Sequence, residues 1–337
     1  MDIAIKELIE TETKYSDLLD QIHNHFQKPL ATTHKHLRSE KEFDIIFAEI
    51  ETIRMYSHSL LSDLSFHRTI RKTLLHPFHE FESVFCSLYH LSRSYILLAS
   101  AMPLALITLS IARERTEFGQ FINKQEHAHQ IKLNELLLRP LSRVEEYVRM
   151  IEEIVKFTPR LHPDQPTLVR LVQKLIPLSQ FLLQKRSKIT KTTEMIRVFV
   201  NLRPQPREFL RLGREFVREG VVHYYEKEGA NPKPKFIFLM NDVLLITRRV
   251  KAGIRSFTKA QTSEHFVLEI LCPLQNITQI KVLEVPEEGE MSDLIPKNCF
   301  VMDSAKKSMM LQCEKQGEHR TWVDLIQEGM KKAKEKK

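Results

Sequence analysis

Most of the patterns that mark enzyme chemistry are missing from these 337 residues. There is no GxxxxGKS/T phosphate loop, no GxGxxG dinucleotide loop and no GxSxG nucleophile elbow. No nucleophile, base and orienting acid are set out together, so covalent catalysis has no support. Cysteine is scarce. Cys86, Cys272, Cys299 and Cys313 are widely spaced and match neither a disulfide framework nor zinc-ligand spacing. They read as reduced thiols of a cytosolic protein. Histidine is abundant, but His23/His25, His34/His36 and His127/His129 are i,i+2 pairs that point to different faces of a helix. None completes a ligand set. No metal and no cofactor are expected.

Long apolar runs are also missing. The least polar, residues 95–109, is broken by Pro103 and falls short of the ~20 residues a bilayer requires; it reads as a buried helix pair with a kink. Asp2, Lys6, Glu7 and Glu10 near the start are unlike a signal peptide. The net charge of +8 suits acidic partners, phosphoinositide headgroups or RNA without choosing among them. No concentrated basic stripe with interleaved aromatics is present, so nucleic acid is not an expected partner.

What is present is helical periodicity. In residues 136–158, Val144, Tyr147, Val148, Ile151, Ile154 and Val155 recur at steps of three and four, a buried stripe. Pro140 suits the first turn of this helix and Pro159 stops it. Arg143, Glu146, Arg149, Glu153 and Lys156 form the other face, where ion-pair decoration is the plain reading. Similar stripes predict a helix from about residue 2 to 26, ended by Pro29. A second is predicted over residues 40–64 behind a Ser39/Glu42 capping box. A third segment covers 69–101, with Phe78, Phe81, Phe85 and Leu88 on an apolar face, and a fourth follows Pro103 to about 125. The last starts after 162–166, contains Pro177 and runs toward Pro204.

After Pro206 the period shortens. Strands are predicted at 217–225, 235–240, 243–248, 264–270, 277–285, 298–302 and 308–313, with Asn241-Asp242 as a hairpin turn and an acidic loop at 286–296. An amphipathic helix over 318–331 carries Trp322, the single tryptophan and a predicted core plug, and ends in a basic KKAKEKK run.

Three blocks carry a family resemblance. ELIETETKYSDLLDQIHNHFQKPL (residues 7–30), LLLRPLSRVEEYVRMIEEIVKFTP (136–159) and FIFLMNDVLLITRR (236–249), with the Trp322 helix, resemble the Dbl-homology/pleckstrin-homology (DH-PH) tandem of Rho-family guanine nucleotide exchange factors. The resemblance implies a multidomain α plus β chain. An elongated all-helical DH bundle (1–203) would be followed by a linker (204–216) and a PH-type antiparallel β-barrel capped by a C-terminal helix (217–332), then a basic tail (333–337). It implies acceleration of GDP release from a Rho- or Rac-family small GTPase, with switch 1 and switch 2 remodelled and Mg²⁺ displaced. The alternative is a catalytically weak scaffold or regulator of the same fold.

In that family the first and third of its conserved regions, with the end of the last helix, bind the GTPase. The resemblance therefore places Glu7 at switch 1, with Thr11 one turn on, and adds Ser142, Arg143, Glu146 and Leu183. Gln180 or Gln184 replaces Leu183 if the register slips. Ser142 stands where the family usually has Gln, Glu146 where it usually has a basic residue, and Leu183 where it often has Asn. Glu146 reverses a charge expected to grip switch 2. Lys227, Lys233 and Lys235 surround the first hairpin loop and would meet phosphoinositide phosphates, or simply be solvated. The expected location is cytoplasmic, with peripheral recruitment to membrane.

Overall fold

The computed structural model describes residues 2–73, 81–225, 231–250, 265–283, 296–304 and 307–335. The side chains of residues 67–90 and Lys227, Lys336 and Lys337 lie outside that description, as do Cys86, the apolar face at 78–88 and all but Pro296 of the acidic loop. The chain forms two compact units, Met1–Thr190 and Lys191–Lys337.

The first unit is helical. Helix α1 (Asp2–Ile22) continues through a π-turn (His23–Gln27) into α2 (Lys28–Ala31). Pro29 therefore does not end the path; it lies in the first turn of α2, where a missing N–H is harmless. The Ser39/Glu42 capping box opens α3 (Glu40–Phe47), with backbone-to-side-chain bonds of 2.9 and 3.2 Å. The single helix expected over 40–64 is broken at Ala48, whose φ of 26° is outside helical geometry, and resumes as α4 (Ile50–Thr73). Conversely, α5 (Phe81–Arg113) passes through Pro103 without ending. Buried Ala99, Met102, Ala105 and Leu106 on either side keep it helical through the lost hydrogen bond, since tertiary packing outweighs local propensity. The kinked pair expected at 95–109 is thus one helix. By length and composition Leu91–Arg113 could cross a membrane, with 56% of its window buried in the fold.

α6 (Thr116–His129) ends on left-handed Gln130. α7 (Leu133–Leu138) leads into α8 (Pro140–Lys156), which opens on Pro140 as predicted, and α9 (Gln165–Asn201) contains Pro177. α1 packs on α4, α7 and α8, and α5 on α3, α4 and α6. Leu8, Leu19 and Ile22 of α1, Leu60 and Leu64 of α4, Leu98 of α5 and Ile151 of α8 are fully or almost fully buried. Each such side chain contributes about 1.5–3 kcal/mol of hydrophobic free energy.

The second unit holds β1 (Leu202–Arg203), β2 (Phe216–Tyr225), β3 (Lys233–Met240), β4 (Val243–Val250), β5 (His265–Pro273), β6 (Ile277–Val282), β7 (Cys299–Ser304), β8 (Ser308–Cys313) and α10 (Glu318–Glu335). Asn241 and Asp242 form the β3–β4 turn, as predicted. The strand order is β1-β5-β4-β3-β2-β8-β7-β6. The sheet is open and mixed: β1 runs parallel to β5, and among the described residues nothing pairs β6 with β5 or β1. The closed PH-type antiparallel barrel implied by the resemblance is therefore incorrect. β5 ends at Pro273, which has no N–H to extend a ladder, and a 3-10 turn (Leu274–Asn276) leads the chain away before β6 pairs with β7. α10 covers the open core instead, inserting fully buried Trp322 and Ile326 among Val222, Leu244, Leu274, Phe300 and Leu311.

Candidate functional site

On α8, Arg143 lies on the same helical edge as Tyr147 and Ile151, one and two turns on. That register puts its guanidinium inside the unit, where the residue is only 1% exposed. A lone buried charge would cost several kcal/mol, so it must be paired. On α1, Glu12 follows Leu8 by one turn and is also fully buried. Arg143 Nη2 donates to Glu12 Oε2 at 2.7 Å and to Thr11 Oγ1 at 3.3 Å. Glu12 also accepts from the Tyr147 hydroxyl at 2.8 Å and from Ser57 Oγ of α4. The guanidinium lies 4.5 Å from the Tyr147 ring centroid and 5.1 Å from that of Tyr15, whose hydroxyl meets that of Tyr95 on α5. One buried cation thus links α1 to α8, and its carboxylate partner adds α4.

Arg143 also reaches the surface. Its Nη1 donates to Glu146 Oε2 at 2.8 Å, while Arg139 Nη1 donates to Glu146 Oε1 at 2.6 Å. Arg139 Nη1 donates to Ser142 Oγ as well, and the Ser142 hydroxyl donates to the Arg139 carbonyl. Glu146 is clasped by two guanidiniums. Burial opposes its ionisation, but the hydrogen bonds from Arg143 and Arg139 outweigh that and hold its carboxyl below the usual range. Burial, followed by the Glu12 charge, pushes the Tyr147 phenol well above its ordinary value. Arg143 is held protonated: burial opposes the charge, and Tyr147 and Glu12 more than restore it.

Thr11 is partly buried, its hydroxyl shared between the Leu8 carbonyl and Met150 Sδ. Glu7 lies one turn earlier on α1, exposed, with no hydrogen bond or ion pair to any described residue.

A family model described as RhoGEF domain matches residues 4–200. The chain belongs to the RhoGEF family. In sequence this RhoGEF chain is similar to "Guanine exchange factor for Rac 30" of Dictyostelium discoideum, 21% identical over 243 residues that span 72% of this chain and 14% of that protein. It is also similar to "Protein vav" of Drosophila melanogaster, 24% identical over 271 residues, 76% of this chain and 33% of that protein. The chain thus spans from about a seventh to a third of the length of these relatives. In structure it is similar to the DH/PH domains of p115-RhoGEF, with a TM-score of 0.56, 14% identity, and coverage of 97% of this chain and 92% of that one. The fold of this RhoGEF chain is that of a DH-PH tandem.

Of the residues singled out in the sequence, the RhoGEF helical unit brings Thr11, Ser142, Arg143 and Glu146 into one hydrogen-bonded group. Gln180, Leu183 and Gln184 share one exposed face of α9, and no hydrogen bond or ion pair among the described residues joins them to that group. Leu183 is 45% exposed. Lys233 is exposed at the start of β3, whereas Lys235 is buried and donates to Glu269. Glu12 and Arg139 were missed from the sequence. A signal for Glu12 was available: a charged residue in register with Leu8, Tyr15 and Leu19 must be buried with a partner. Arg139 carries no such signal, since it precedes the helix and its role depends on the chain's path around Pro140.

Proposed function

We propose that this chain accelerates GDP release from a Rho-family small GTPase. The observation that carries the reading is the exposed carboxylate of Glu7 on the α1 surface, unpaired among the described residues, on a helix locked to α8 by the Glu12–Arg143 pair. The helical unit would bind the nucleotide-free GTPase more tightly than the GDP-bound one. That difference in binding lowers the barrier to release without any bond being made or broken. Glu7 meets switch 1, while the Arg139–Ser142–Glu146 corner and the α9 face at Gln180, Leu183 and Gln184 meet switch 2. Remodelling of the two displaces Mg²⁺ and loosens the phosphates. Glu146 does not present a bare negative charge to switch 2, because Arg139 and Arg143 both hold its carboxylate. The repulsion suggested by its sequence position is thereby screened, and Arg139, 44% exposed at its side chain, supplies the outward cation.

The test is release of a fluorescent guanine nucleotide from a panel of Rho-family GTPases. At least one should be accelerated by the chain, and Glu7→Ala should return its release to the intrinsic rate. Undiminished acceleration by Glu7→Ala removes that residue from the mechanism. If no panel member responds, pull-down with nucleotide-free GTPases distinguishes a non-catalytic binder from a chain with no such partner. The second unit is assigned a peripheral contact with phosphoinositide-bearing membrane, which would hold a cytoplasmic protein close to its lipid-anchored substrate.

A further inference from the structure

Spacing of two along one helix turns histidine rings apart, but the fold brings together two rings from different helices. His25 lies in the π-turn that follows α1, where Lys28 N–H bonds to the His23 carbonyl. Such turns are rare and concentrate at functional sites. His129 is the last residue of α6, fixed by left-handed Gln130, whose N–H bonds to the Glu126 carbonyl. The His25 and His129 rings face each other, with centroids 3.5 Å apart and planes inclined by 25°. His25 is half-buried and His129 exposed. Among the described residues no hydrogen bond or ion pair engages either ring. Neighbouring groups are already committed. His23 Nδ1 lies 3.0 Å from Glu51 Oε2, and Glu51 also accepts from Arg54. Glu126 accepts from Arg113, Lys132 and the Leu133 N–H.

Neutral imidazole is the commonest metal ligand among side chains. Burial, followed by the neighbouring His129, holds His25 below its ordinary value, which favours the ring with a free lone pair. On a tetrahedral zinc ion with Zn–N bonds of about 2.0–2.1 Å, two ligating nitrogens lie about 3.4 Å apart. The ring separation is close to that distance, and the exposed His129 ring can turn to aim one nitrogen at a shared ion. We infer that His25 and His129 form a two-histidine site for a divalent transition ion of the zinc class, with water in its remaining positions. Among the described residues no third histidine, cysteine, aspartate or glutamate completes the group, so the ion keeps positions open to an outside ligand. The ion would tie the end of α1 to α6 within the helical unit. Neither Glu7 nor the Arg143 group takes part, so the site is independent of the exchange reaction.

The test is calorimetric titration of the full chain with zinc chloride. The chain has 15 histidines that give weak background uptake, so the readout is the tightest site. Wild type should take up one zinc ion there. His25→Gln and His129→Gln should each weaken it at least about tenfold, since loss of an outer-shell partner alone costs roughly 10–100-fold. His127→Gln, on the same turn of α6, should leave it unchanged. Two further variants separate ligation from stacking. His129→Cys keeps a zinc ligand without the stacked ring and should retain the site. His129→Phe keeps a stacked ring without a lone pair and should lose it. Zinc should also raise the melting midpoint of wild type and His127→Gln, but not that of His25→Gln or His129→Phe. A tight site that survives His25→Gln or His129→Phe, or that His127→Gln removes, overturns the assignment. So does uptake by wild type no tighter than that of the His25→Gln/His129→Gln double variant. Melting without zinc establishes that each variant is folded; if His25→Gln melts early, the substitutions at exposed His129 decide alone.

Discussion

Arg143 is the residue on which the candidate site depends most. Both it and Glu12 are shielded from water, and removing one partner of such a pair leaves the other charge uncompensated. Arg143→Met should therefore cost about 3–5 kcal/mol of unfolding free energy, as a buried half-pair does. Equilibrium denaturation would measure it, and a loss below about 1 kcal/mol would mean that Glu12 finds another partner. Glu146 differs because it remains partly in contact with water. Its carboxyl is held below its ordinary value of 4.5, so its contribution to stability is full above that pH and fades as pH falls through the lower folded value. The wild type should thus be more stable than Glu146→Gln at neutral pH, with the difference shrinking on acidification below about 4.5. Denaturation of both proteins across that window is the check. A gap that stays constant or widens in acid would show that the Arg139–Glu146–Arg143 clasp contributes nothing through its charge.

At the scale of the element, β2 and α10 approach closely at Gly220. A Cβ added at Gly220 would lie 3.0 Å from Cζ2 of the buried Trp322 ring. The neighbour is a rigid indole at the centre of the core, so it cannot yield as a flexible chain end would. Gly220→Ala should destabilise the strand unit by about 1–3 kcal/mol, the usual cost of overpacking. Near-ultraviolet circular dichroism of the lone tryptophan would report the displacement directly; an unchanged signal with unchanged melting would refute the tight fit. Much of this element scale was legible in the sequence. The period-two runs located most of the strands, Asn241-Asp242 located a hairpin, and Ser39 with Glu42 located a helix start, because each signal acts over a few residues. Of the misread helix breaks, at Pro29, Ala48 and Pro103, the last two share one reason. Pro103 lies in a helix held by its neighbours' burial, and Ala48 breaks a helix that its own periodicity would continue; both outcomes are decided by tertiary packing.

For the whole molecule, sheet closure was the feature least accessible to sequence reading. Alternation shows that strands exist, but pairing between β5 and β6 is a non-local matter, settled by where Pro273 and the 3-10 turn send the chain and by what α10 covers. The family was legible because three blocks occur in order, and the RhoGEF match over residues 4–200 agrees with the first two of them. The site was legible in part. Register alone explains why Thr11 and Arg143 meet, whereas the sharing of Glu146 between two arginines depends on the turn from α7 into α8.

The Glu12–Arg143 pair joins residues 131 apart in the sequence. Closing so long a loop costs chain entropy before any contact can repay it, so this face is expected among the late events of folding. Because the same pair fixes α1 against α8, the outer face exists only once the helical unit has closed. A partner that recognises this face therefore binds the native chain and not the unfolded one, and adds RT ln(1 + [L]/Kd) to its stability. The thermal midpoint of the helical unit would then serve as a titration of the partner, without any measurement of nucleotide.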